Sequence, residues 1–578
     1  MSRYYLYCKK ADFLSIAQKY NISPITARIL RNRDLISDDE IDLFLNGGMD
    51  DLYDPFLMKG VEEAIPIILK TISEKTKIRI IGDYDVDGIC SSYILKSFIS
   101  FLGGDVDVRL PNRMLEGYGL NSNMIVEAKD DDVCLIITCD NGVSSYDAVN
   151  LANEYGIDII VTDHHEVPSP LVNADVVIDP KQEGCEYPYK DLCGAGVAYK
   201  LVSALAEKTK KRGYREVLFD LIQFAGMATI ADIVPLTGEN RIIAREGVKK
   251  LQVTENTGLM ALMDARSLKP KDVGPWSVGF ILGPCINSAG RLRNAEIAYN
   301  LLEEEDPEKA KERADFLSKL NDERKLLTIS QAKYAIDIIN DTYIKKDLEL
   351  PKVLVIYLPE AHESIAGIIA GRLKDIYSRP ALVLTNSEEG IKGSGRSVEA
   401  YDMIEELGKH PEFFLKFGGH KKAAGFSLNE GVTPKDLERV LNEDCTFSEE
   451  ELAEKVWIDM QLPFKYVTES FINELSLLEP FGLKNERPLF AQKNVKIRFA
   501  SVLGKGSNVL KASLEDEEGT VLEAIKFGNE NDIRKEAERL FKGMEEAGDD
   551  FRISILFYPE MNVFRDKKNP QARIIDFI

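Results

Sequence analysis

Strand-like and helical patterns alternate between residues 61 and 180. Short apolar runs rich in β-branched residues occupy 78–81, 133–138 and 158–162, and a helical spacing of apolar positions follows the first run. Strands that alternate with helices in this way are typical of a parallel sheet covered by helices. The pattern therefore predicts an α/β domain in this part of the chain.

The rest of the chain shows further patterns. Residues 1–60 contain helical segments with capping residues such as Ser23 at their starts. Helical spacing dominates 195–345, and its highly charged end, 306–340, indicates a long connector helix. A strand-like run at 353–357 begins a second α/β unit, and the short alternating segments further on favour a small β-barrel.

The predicted fold class is α/β, with a parallel-sheet domain and a second α/β domain joined by a long helix, and with a C-terminal β-barrel. The predicted regions are a helical segment at 1–60, the parallel-sheet domain at 61–300, the connector at 301–345, the second α/β domain at 346–445 and the barrel at 446–578. A chain of 578 residues is too long for a single hydrophobic core, which agrees with several domains.

Composition predicts a protein of the cytoplasm that has no membrane partner. The chain is 44% hydrophobic and 29% charged, and no apolar run approaches the roughly 18 residues that cross a bilayer. The first ten residues lack the apolar core of a signal peptide. Eight cysteines are scattered without a CxxC pair, which disfavours a zinc site or a disulfide framework.

The net charge of −23 argues against strong nonspecific binding to duplex DNA, because counterion release needs clustered Lys and Arg. It leaves nucleic acid open as a ligand, since a narrow channel with a few arginines and bound divalent ions is locally positive inside an acidic exterior. Solubility alone explains the charge equally well.

Acids follow each of the three strand-like runs, and two adjacent histidines also follow the third. Because the carboxyl ends of parallel strands share one crevice, these side chains are expected to converge there. A single Asp at a strand end is more often a cap, but three such turns together with a His-His pair favour a site for two divalent cations. The candidate ligands are Asp85, Asp87, Asp140, His164 and Asp232.

The same segments resemble the four motifs of the DHH phosphoesterases: GDYDVDG at 82–88, TCDNG at 138–142, TDHH at 162–165 and ATIADIVPL at 228–236. The likeness continues into segments that are similar to the RecJ-type branch of that family. These are INSAGRL at 286–292, HESIAGIIAGR at 362–372, GSGRS at 393–397 and FGGHKKAAG at 417–425, with further matches at 32–45 and 478–490. The resemblance therefore spans almost the whole chain.

The resemblance implies a 5′-to-3′ exonuclease that degrades single-stranded DNA in repair and recombination with Mn²⁺ or Mg²⁺. It makes 61–300 the DHH domain, 346–445 the DHH-associated domain and 446–578 an OB-type single-strand-binding domain. The implied partners are DNA with a free 5′ end and, beyond the substrate, a single-strand-binding protein and a helicase.

The resemblance also distributes roles among the site residues. Asp85 and Asp87 are assigned to separate metals and Asp140 to the bridge between them, and His164 and Asp232 complete the ligand set. Catalytic support is expected from Asp83, Asp163 and His165, which orient ligands or a water molecule, with His165 near the scissile phosphate.

Phosphate-binding residues are expected outside the metal cluster. GSGRS is predicted to be a flexible glycine loop that grips phosphate through backbone N–H groups and an arginine. A tight turn explains the glycines of FGGH nearly as well. The candidate substrate-binding residues are Arg113 and Arg291, both expected in loops, with Ser394, Arg396, Gly418, Gly419 and His420.

Two smaller expectations can be checked against the structure. Residues 194–196 have two glycines of a dinucleotide fingerprint, but they lack the third glycine and a preceding strand, so a helix start is predicted. Phe481, Phe490 and Phe499 are possible base-stacking residues, although buried core positions are predicted for all three.

Two other functions compete with the exonuclease. One is a DHH phosphodiesterase for short oligoribonucleotides or cyclic dinucleotides, which the N-terminal segment and the barrel disfavour. The other is a catalytically dead scaffold that binds single strands. The presence of every expected acid in the four motifs speaks against that scaffold.

Overall fold

The computed structural model describes residues 3–388, 390–448, 450–504, 506–564 and 567–578. The chain forms two compact units. The first combines Tyr53–Val234 with Glu246–Glu454, and the second combines residues 3–52 with Pro235–Arg245 and Lys455–Ile578. Among the described residues, no helix has the length and apolar character to cross a membrane.

The strands, in chain order, are β1 (Arg3–Leu6), β2 (Lys77–Ile81), β3 (Asp105–Arg109), β4 (Val133–Cys139), β5 (Asp158–Thr162), β6 (Val176–Ile178), β7 (Leu354–Tyr357), β8 (Ala381–Ser387), β9 (Gly390–Arg396), β10 (Phe414–His420), β11 (Ala423–Leu428), β12 (Lys455–Ile458), β13 (Met460–Gln461), β14 (Phe490–Leu503), β15 (Val509–Glu515), β16 (Val521–Phe527), β17 (Arg552–Phe564) and β18 (Lys567–Phe577).

The α-helices are α1 (Phe13–Tyr20), α2 (Pro24–Asn32), α3 (Asp38–Asn46), α4 (Val61–Glu74), α5 (Val86–Leu102), α6 (Ser122–Asp130), α7 (Tyr146–Tyr155), α8 (Gly194–Thr209), α9 (Tyr214–Ala231), α10 (Gly238–Leu251), α11 (Thr257–Ala265), α12 (Pro275–Ser277), α13 (Gly283–Leu292), α14 (Glu296–Leu302), α15 (Pro307–Thr342), α16 (Glu363–Tyr377), α17 (Met403–Gly408), α18 (Pro434–Glu443), α19 (Glu469–Leu475) and α20 (Glu530–Ala547).

The predicted parallel sheet is confirmed, with strand order β3-β2-β4-β5-β6. Ile80, Ile137 and Ile160 are fully buried in its central strands, as expected for a sheet covered on both faces. Ile81 pairs with Thr138, so the carboxyl ends of β2 and β4 lie level. This alignment brings the acidic turns to one edge.

The long helix α15 has 36 residues, with Asp306 as its N-cap and Pro307 at its first position. Its second half packs Ala335 and Ile339 into the core of the next sheet, whose order is β10-β11-β9-β8-β7. The predicted connector is therefore a packed helix and not only a solvated one.

The predicted glycine loop GSGRS is wrong, because residues 393–396 belong to strand β9, which pairs with β8 and β11, and only Ser397 lies beyond it. A Cβ on Gly393 would collide with the ring of Phe426, so the glycine permits close packing within the sheet. The tight-turn alternative for the glycines of FGGH is wrong as well. Gly418 and Gly419 pair in β10 with β11, and residues 421–422 form the turn.

The second unit contains a barrel with strand order β13-β14-β15-β16-β18-β17, which the pairing of β14 with β17 closes. Closure removes exposed edges and supports the OB-type prediction. Ile29, Leu30 and Ile41 of α2 and α3 belong to the barrel core, so the N-terminal helices pack here. The N-terminal segment is not wholly helical, since β1 pairs in parallel with β12.

The core prediction holds for Phe490, which is fully buried, and Phe481 packs partly against the same core. It is wrong for Phe499, which is 58% exposed. The register of β14 shifts between Ile497 and Phe499, and such a bulge reverses which side chains face inward. Phe499 therefore points out of the barrel while Ile497 stays buried.

Candidate metal centre

The first acidic turn joins β2 to α5 and is built around the carboxylate of Asp85. Its Oδ1 atom accepts hydrogen bonds from the backbone N–H groups of Asp87 at 2.9 Å and Gly88 at 3.2 Å, which makes Asp85 the N-cap of α5. The oxygen of Asn287 accepts the N–H of Val86, so α13 also holds this turn. The cap fixes the backbone from which Asp83, Asp85 and Asp87 project.

His164 links three of the predicted ligands. Its Nε2 atom lies 3.1 Å from Asp140 Oδ1, 3.6 Å from Asp87 Oδ2 and 4.0 Å from Asp232 Oδ2. Asp232 is the C-cap of α9, a helix far along the chain from the sheet strands. Four sequence-distant motifs therefore meet at one imidazole.

The donor atoms form three groups in which all ligand atoms lie within 4.8 Å of one another. The groups are Asp83, Asp85 and Asp140; Asp87, His164 and Asp232; and Asp140, His164 and His165. Asp140 belongs to the first group and also contacts His164 of the second. Carboxylates with one or two imidazoles are the donors that hard divalent cations prefer, and one shared carboxylate suits a pair of them.

The buried carboxylates of the acidic cluster would be stabilised by nearby positive charge. Burial, reinforced by the charges of Asp87 and Asp85, holds the pKa of Asp140 well above its usual range. Burial and the charge of Asp85 raise the pKa of Asp87 to about 6. Buried carboxylates that repel one another are destabilising unless cations neutralise them, so the donor set fits a pair of divalent ions.

Helix α8 holds one of the acids by its amino terminus. The N–H of Gly194 donates to Asp87 Oδ2 at 2.6 Å and the N–H of Ala195 donates to Asp87 Oδ1 at 2.7 Å. A helix amino terminus stabilises a carboxylate through its free N–H groups and its dipole. The predicted helix start at 194–196 is confirmed, and its link to the metal cluster was not foreseen from the sequence.

Asp163 faces the imidazoles. Its Oδ1 lies 2.7 Å from His165 Nδ1 and accepts the N–H of His164, while Oδ2 accepts the N–H of Val143 at 3.1 Å. Burial lowers the pKa of His165, but the hydrogen bond and charge of Asp163 outweigh it and raise that pKa to about 9. His165 therefore carries a proton at neutral pH, and its half-exposed ring can donate it outward.

Tyr118 is a site residue that the sequence reading missed. Its hydroxyl donates to the backbone oxygen of Asp140 at 2.7 Å and lies 3.3 Å from His165 Nδ1. The next N–H along the loop, that of Gly119, donates to Asp83 Oδ1 at 3.3 Å. The signal in the sequence was a tyrosine between two glycines, close to Arg113, in a loop that joins a strand to a helix.

The predicted phosphate-binding arginines lie in the same unit as the metal cluster. Arg113 is in the loop after β3, with its guanidinium 4.9 Å from the ring centre of Tyr84. Arg291 is in α13 and not in a loop, and its Nη1 donates to the backbone oxygen of Ser364 at 3.0 Å. Arg396 Nη1 donates to Ser394 Oγ at 3.2 Å and thereby orients that hydroxyl.

Charge interactions group these arginines. Burial and then the charge of Arg113 lower the pKa of Arg291 to about 10, and the same two causes lower the pKa of Arg396. Burial lowers the pKa of His420, and the charges of Arg396 and His165 lower it further. Cations that repel one another in a partly dry site are stabilised by an anion, which fits a phosphate group.

The parallel sheet and the acids at its carboxyl edge are the features of a DHH-type phosphoesterase, and the family matches agree. The chain matches the profile of the DHH family, N-terminal domain, over residues 77–226, the DHHA1 domain over 350–445 and the RecJ OB domain over 458–576. These three ranges coincide with the parallel-sheet domain, the domain of the second sheet and the barrel, respectively.

Whole-chain relatives narrow the class. The chain is 34% identical to the single-stranded-DNA-specific exonuclease RecJ of Haemophilus influenzae, over 98% of each chain. It is 33% identical to the Bacillus subtilis protein of the same description, over 97% of this chain and 69% of that one. The crystal structure of RecJ from Thermus thermophilus in complex with Mn²⁺ superposes with a TM-score of 0.82 at 25% identity, covering 100% of this chain and 79% of that one. The chain belongs to the RecJ family of single-stranded-DNA-specific exonucleases.

Proposed function

We propose that this protein is a metal-dependent exonuclease that degrades single-stranded DNA from its 5′ end to mononucleotides, in DNA repair and recombination. The observation that carries the proposal is the position of Asp140, which has a carboxylate oxygen within 4.8 Å of a ligand atom of Asp85 and within 4.8 Å of a ligand atom of His164. A cluster of arginines in the same unit adds a place for a terminal phosphate. Membership of the RecJ family supports the same substrate.

The ligand roles form part of this proposal. Asp85 and Asp87 would hold separate Mn²⁺ or Mg²⁺ ions, Asp140 would be shared by both, and His164 and Asp232 would complete the set. Asp83 lies close enough to Asp85 and Asp140 to serve as a further ligand or to orient one. Two divalent cations at this position supply an activated water and neutralise charge on the phosphoryl group.

The remaining residues bind and orient the substrate. Arg113, Arg291 and Arg396, with Ser394, grip the phosphate at the 5′ end, so that the first phosphodiester lies at the metal cluster. Asp163 accepts the Nδ1–H of the protonated His165 ring, which leaves the Nε2–H to contact a scissile phosphate oxygen. The hydroxyl of Tyr118 limits the rotation of that imidazole.

The glycines Gly418 and Gly419 and the imidazole of His420 are proposed to line the approach to the phosphate site. They end strand β10, in the same sheet as β9, which carries Ser394 and Arg396. Gly418 has open space where a side chain would stand, so a nucleotide backbone can approach the strand closely.

The test is a product assay. DNA labelled at either end, duplex DNA and short RNA are each incubated with the protein and Mn²⁺. We expect mononucleotides from single-stranded DNA, released first from the 5′ end, and slow reaction on the duplex. Preferential hydrolysis of di- or trinucleotides over long strands would instead establish the small-substrate phosphodiesterase.

The proposal includes a cytoplasmic location and two protein partners. An exonuclease for single strands needs an unwound substrate, so a helicase and a single-strand-binding protein are the expected partners. Adding a helicase to blunt duplex DNA should increase the rate of nucleotide release, and an unchanged rate would remove the helicase from the proposal.

A further inference from the structure

The outward face of the two-stranded ribbon β1–β12 carries three aromatic rings. Tyr5 pairs with Trp457 in the parallel register, and Tyr7 follows two residues later on the same face. The ring centroids of Tyr5 and Trp457 are 5.2 Å apart, and those of Tyr7 and Trp457 are 4.8 Å apart in a stacked arrangement. We call these three residues the ribbon aromatic cluster.

Packing of the ribbon is explained by its other face. Val456 and Ile458 contact a small core with Leu489 and Leu556, and the hydroxyl of Tyr4 donates to Asp576 at 2.6 Å. The ribbon aromatic cluster lies on the opposite face, where Trp457 is 46% exposed. Tyr5 and Tyr7 are half-buried beside it, so Trp457 presents the most open ring of the cluster to a ligand.

Cations lie at both ends of the cluster. Arg3 pairs with Lys455, two residues before Tyr5 and Trp457, and both therefore share the face of the rings. At the other end, Lys9 Nζ lies 5.6 Å from the centre of the Tyr7 ring and forms an ion pair with Asp34 at 2.6 Å. The charges of Asp459 and Glu486 also act on the Tyr7 ring, so the end of the cluster that carries Arg3 and Lys455 is the more favourable place for a phosphate.

We propose that the ribbon aromatic cluster is a stacking platform for the bases of single-stranded DNA. Proteins that hold single strands combine aromatic faces for the bases with cations for the phosphates, and this face offers both. The platform lies outside the barrel strands β13–β18 and is formed largely by the N-terminal strand. It rests on the proposed function in taking DNA as its ligand, and it adds a second place where a long strand is held.

Tryptophan fluorescence can test the platform directly. The chain has two tryptophans, Trp276 and Trp457, so Trp276→Phe leaves the platform residue as the only reporter. The full-length variant is titrated with oligothymidylate in EDTA, which prevents hydrolysis. We expect saturable quenching of Trp457 by the oligonucleotide and little quenching by an abasic strand of equal length, because the latter has phosphates without bases.

Binding affinity provides a second readout. Trp457→Ala should weaken the binding of a long single strand by about 5- to 150-fold, the range for loss of one stacked base. Trp457→Phe should restore most of this affinity. Leu6→Ala is the matched control on the other face of the same ribbon, where Leu6 is 47% exposed, and it should bind like the wild type.

The two proposals fail in different ways. If the wild type hydrolyses and binds long single strands but the Trp457 emission does not respond, the platform is overturned and the exonuclease stands. An equal loss of affinity in Trp457→Ala and Leu6→Ala would likewise overturn it, since the effect would then be structural. If the wild type neither binds nor hydrolyses single-stranded DNA, the proposed function itself is wrong.

Discussion

The Nε2 atom of His164 lies 3.1 Å from the Oδ1 atom of Asp140, although the two residues follow different strands of the sheet. The contact joins the two halves of the acidic cluster, because Asp140 faces Asp83 and Asp85 on its other side. Removing the shared carboxylate should therefore affect both cation positions at once.

Asp140→Asn should abolish hydrolysis while the fold is retained. A ligand shared by two cations contributes several kcal/mol to the transition state, so the rate should fall by at least about 1,000-fold. The measurement is nucleotide release at saturating Mn²⁺. Asp105→Asn, at the start of β3, is the control and should retain the wild-type rate. More than about a tenth of that rate in Asp140→Asn would contradict the two-cation assignment.

The same substitution should have the opposite effect on stability without metal. Burial and neighbouring acids hold the pKa of Asp140 well above its usual range, so its carboxylate destabilises the metal-free fold at neutral pH. In EDTA, Asp140→Asn should melt at a higher temperature than the wild type. Addition of Mn²⁺ should raise the melting temperature of the wild type more, because only that chain keeps the full ligand set.

The Asp87 carboxyl should contribute stability to the metal-free protein as the pH falls from about 7 to about 4. Burial and Asp85 raise the pKa of Asp87 to about 6, whereas an unfolded chain has its Asp pKa near about 3.9. The folded state then binds a proton that the unfolded state does not, so stability is lost as the pH rises through the pKa that Asp87 has in the folded state. Urea midpoints in EDTA at several pH values give this slope, which should flatten when Mn²⁺ is present.

Arg396→Ala should slow the hydrolysis of 5′-phosphorylated DNA by roughly ten- to a hundredfold at low substrate concentration. A charge-assisted phosphate contact contributes about 1.5 to 3 kcal/mol, and the loss also frees the Ser394 hydroxyl. Affinity for Mn²⁺ should be unchanged. Arg439→Ala, which removes an exposed arginine of the same domain, is the control. Equal rates for both variants would remove Arg396 from the phosphate site.

Phe499→Ala should weaken the use of long strands more than that of trinucleotides. The ring is 58% exposed on the barrel, and stacking contributes about 1 to 3 kcal/mol per base. The comparison is kcat/KM on the two substrates. Phe541→Ala on α20 is the control, because it also removes a surface aromatic ring, which is 40% exposed. If both substrates are affected equally, the outer surface of β14 does not hold DNA.

Local patterns predicted the edge of the sheet well. The strand-like runs at 78–81, 133–138 and 158–162 agree with β2, β4 and β5 to within one residue, because periodicity and chain turns are local properties. Convergence of the acids followed from the rule that parallel strands end together. The five candidate ligands that these patterns indicated do lie close together in the structure.

Long-range packing explains what the sequence did not predict. The glycines of β9 were expected in a loop, since their need for a neighbour like Phe426 is visible only in the folded sheet. The bulge that exposes Phe499 depends on pairing with β15. Nothing local in α2 and α3 indicates that they complete the barrel core, and the Tyr118 contact joins a loop to two distant strands.

The amino terminus of α8 has a consequence for genetics. Gly194 is neither a candidate ligand nor a substrate contact, yet a methyl group on it would lie 2.7 Å from the Cβ of Asp140 and displace that acid. A screen of random mutants for loss of exonuclease activity should therefore recover changes at this glycine as well as changes at the acids themselves. The residues at which substitution abolishes activity would therefore include more than the groups that react. An inactive variant would not by itself identify a group that takes part in the chemistry.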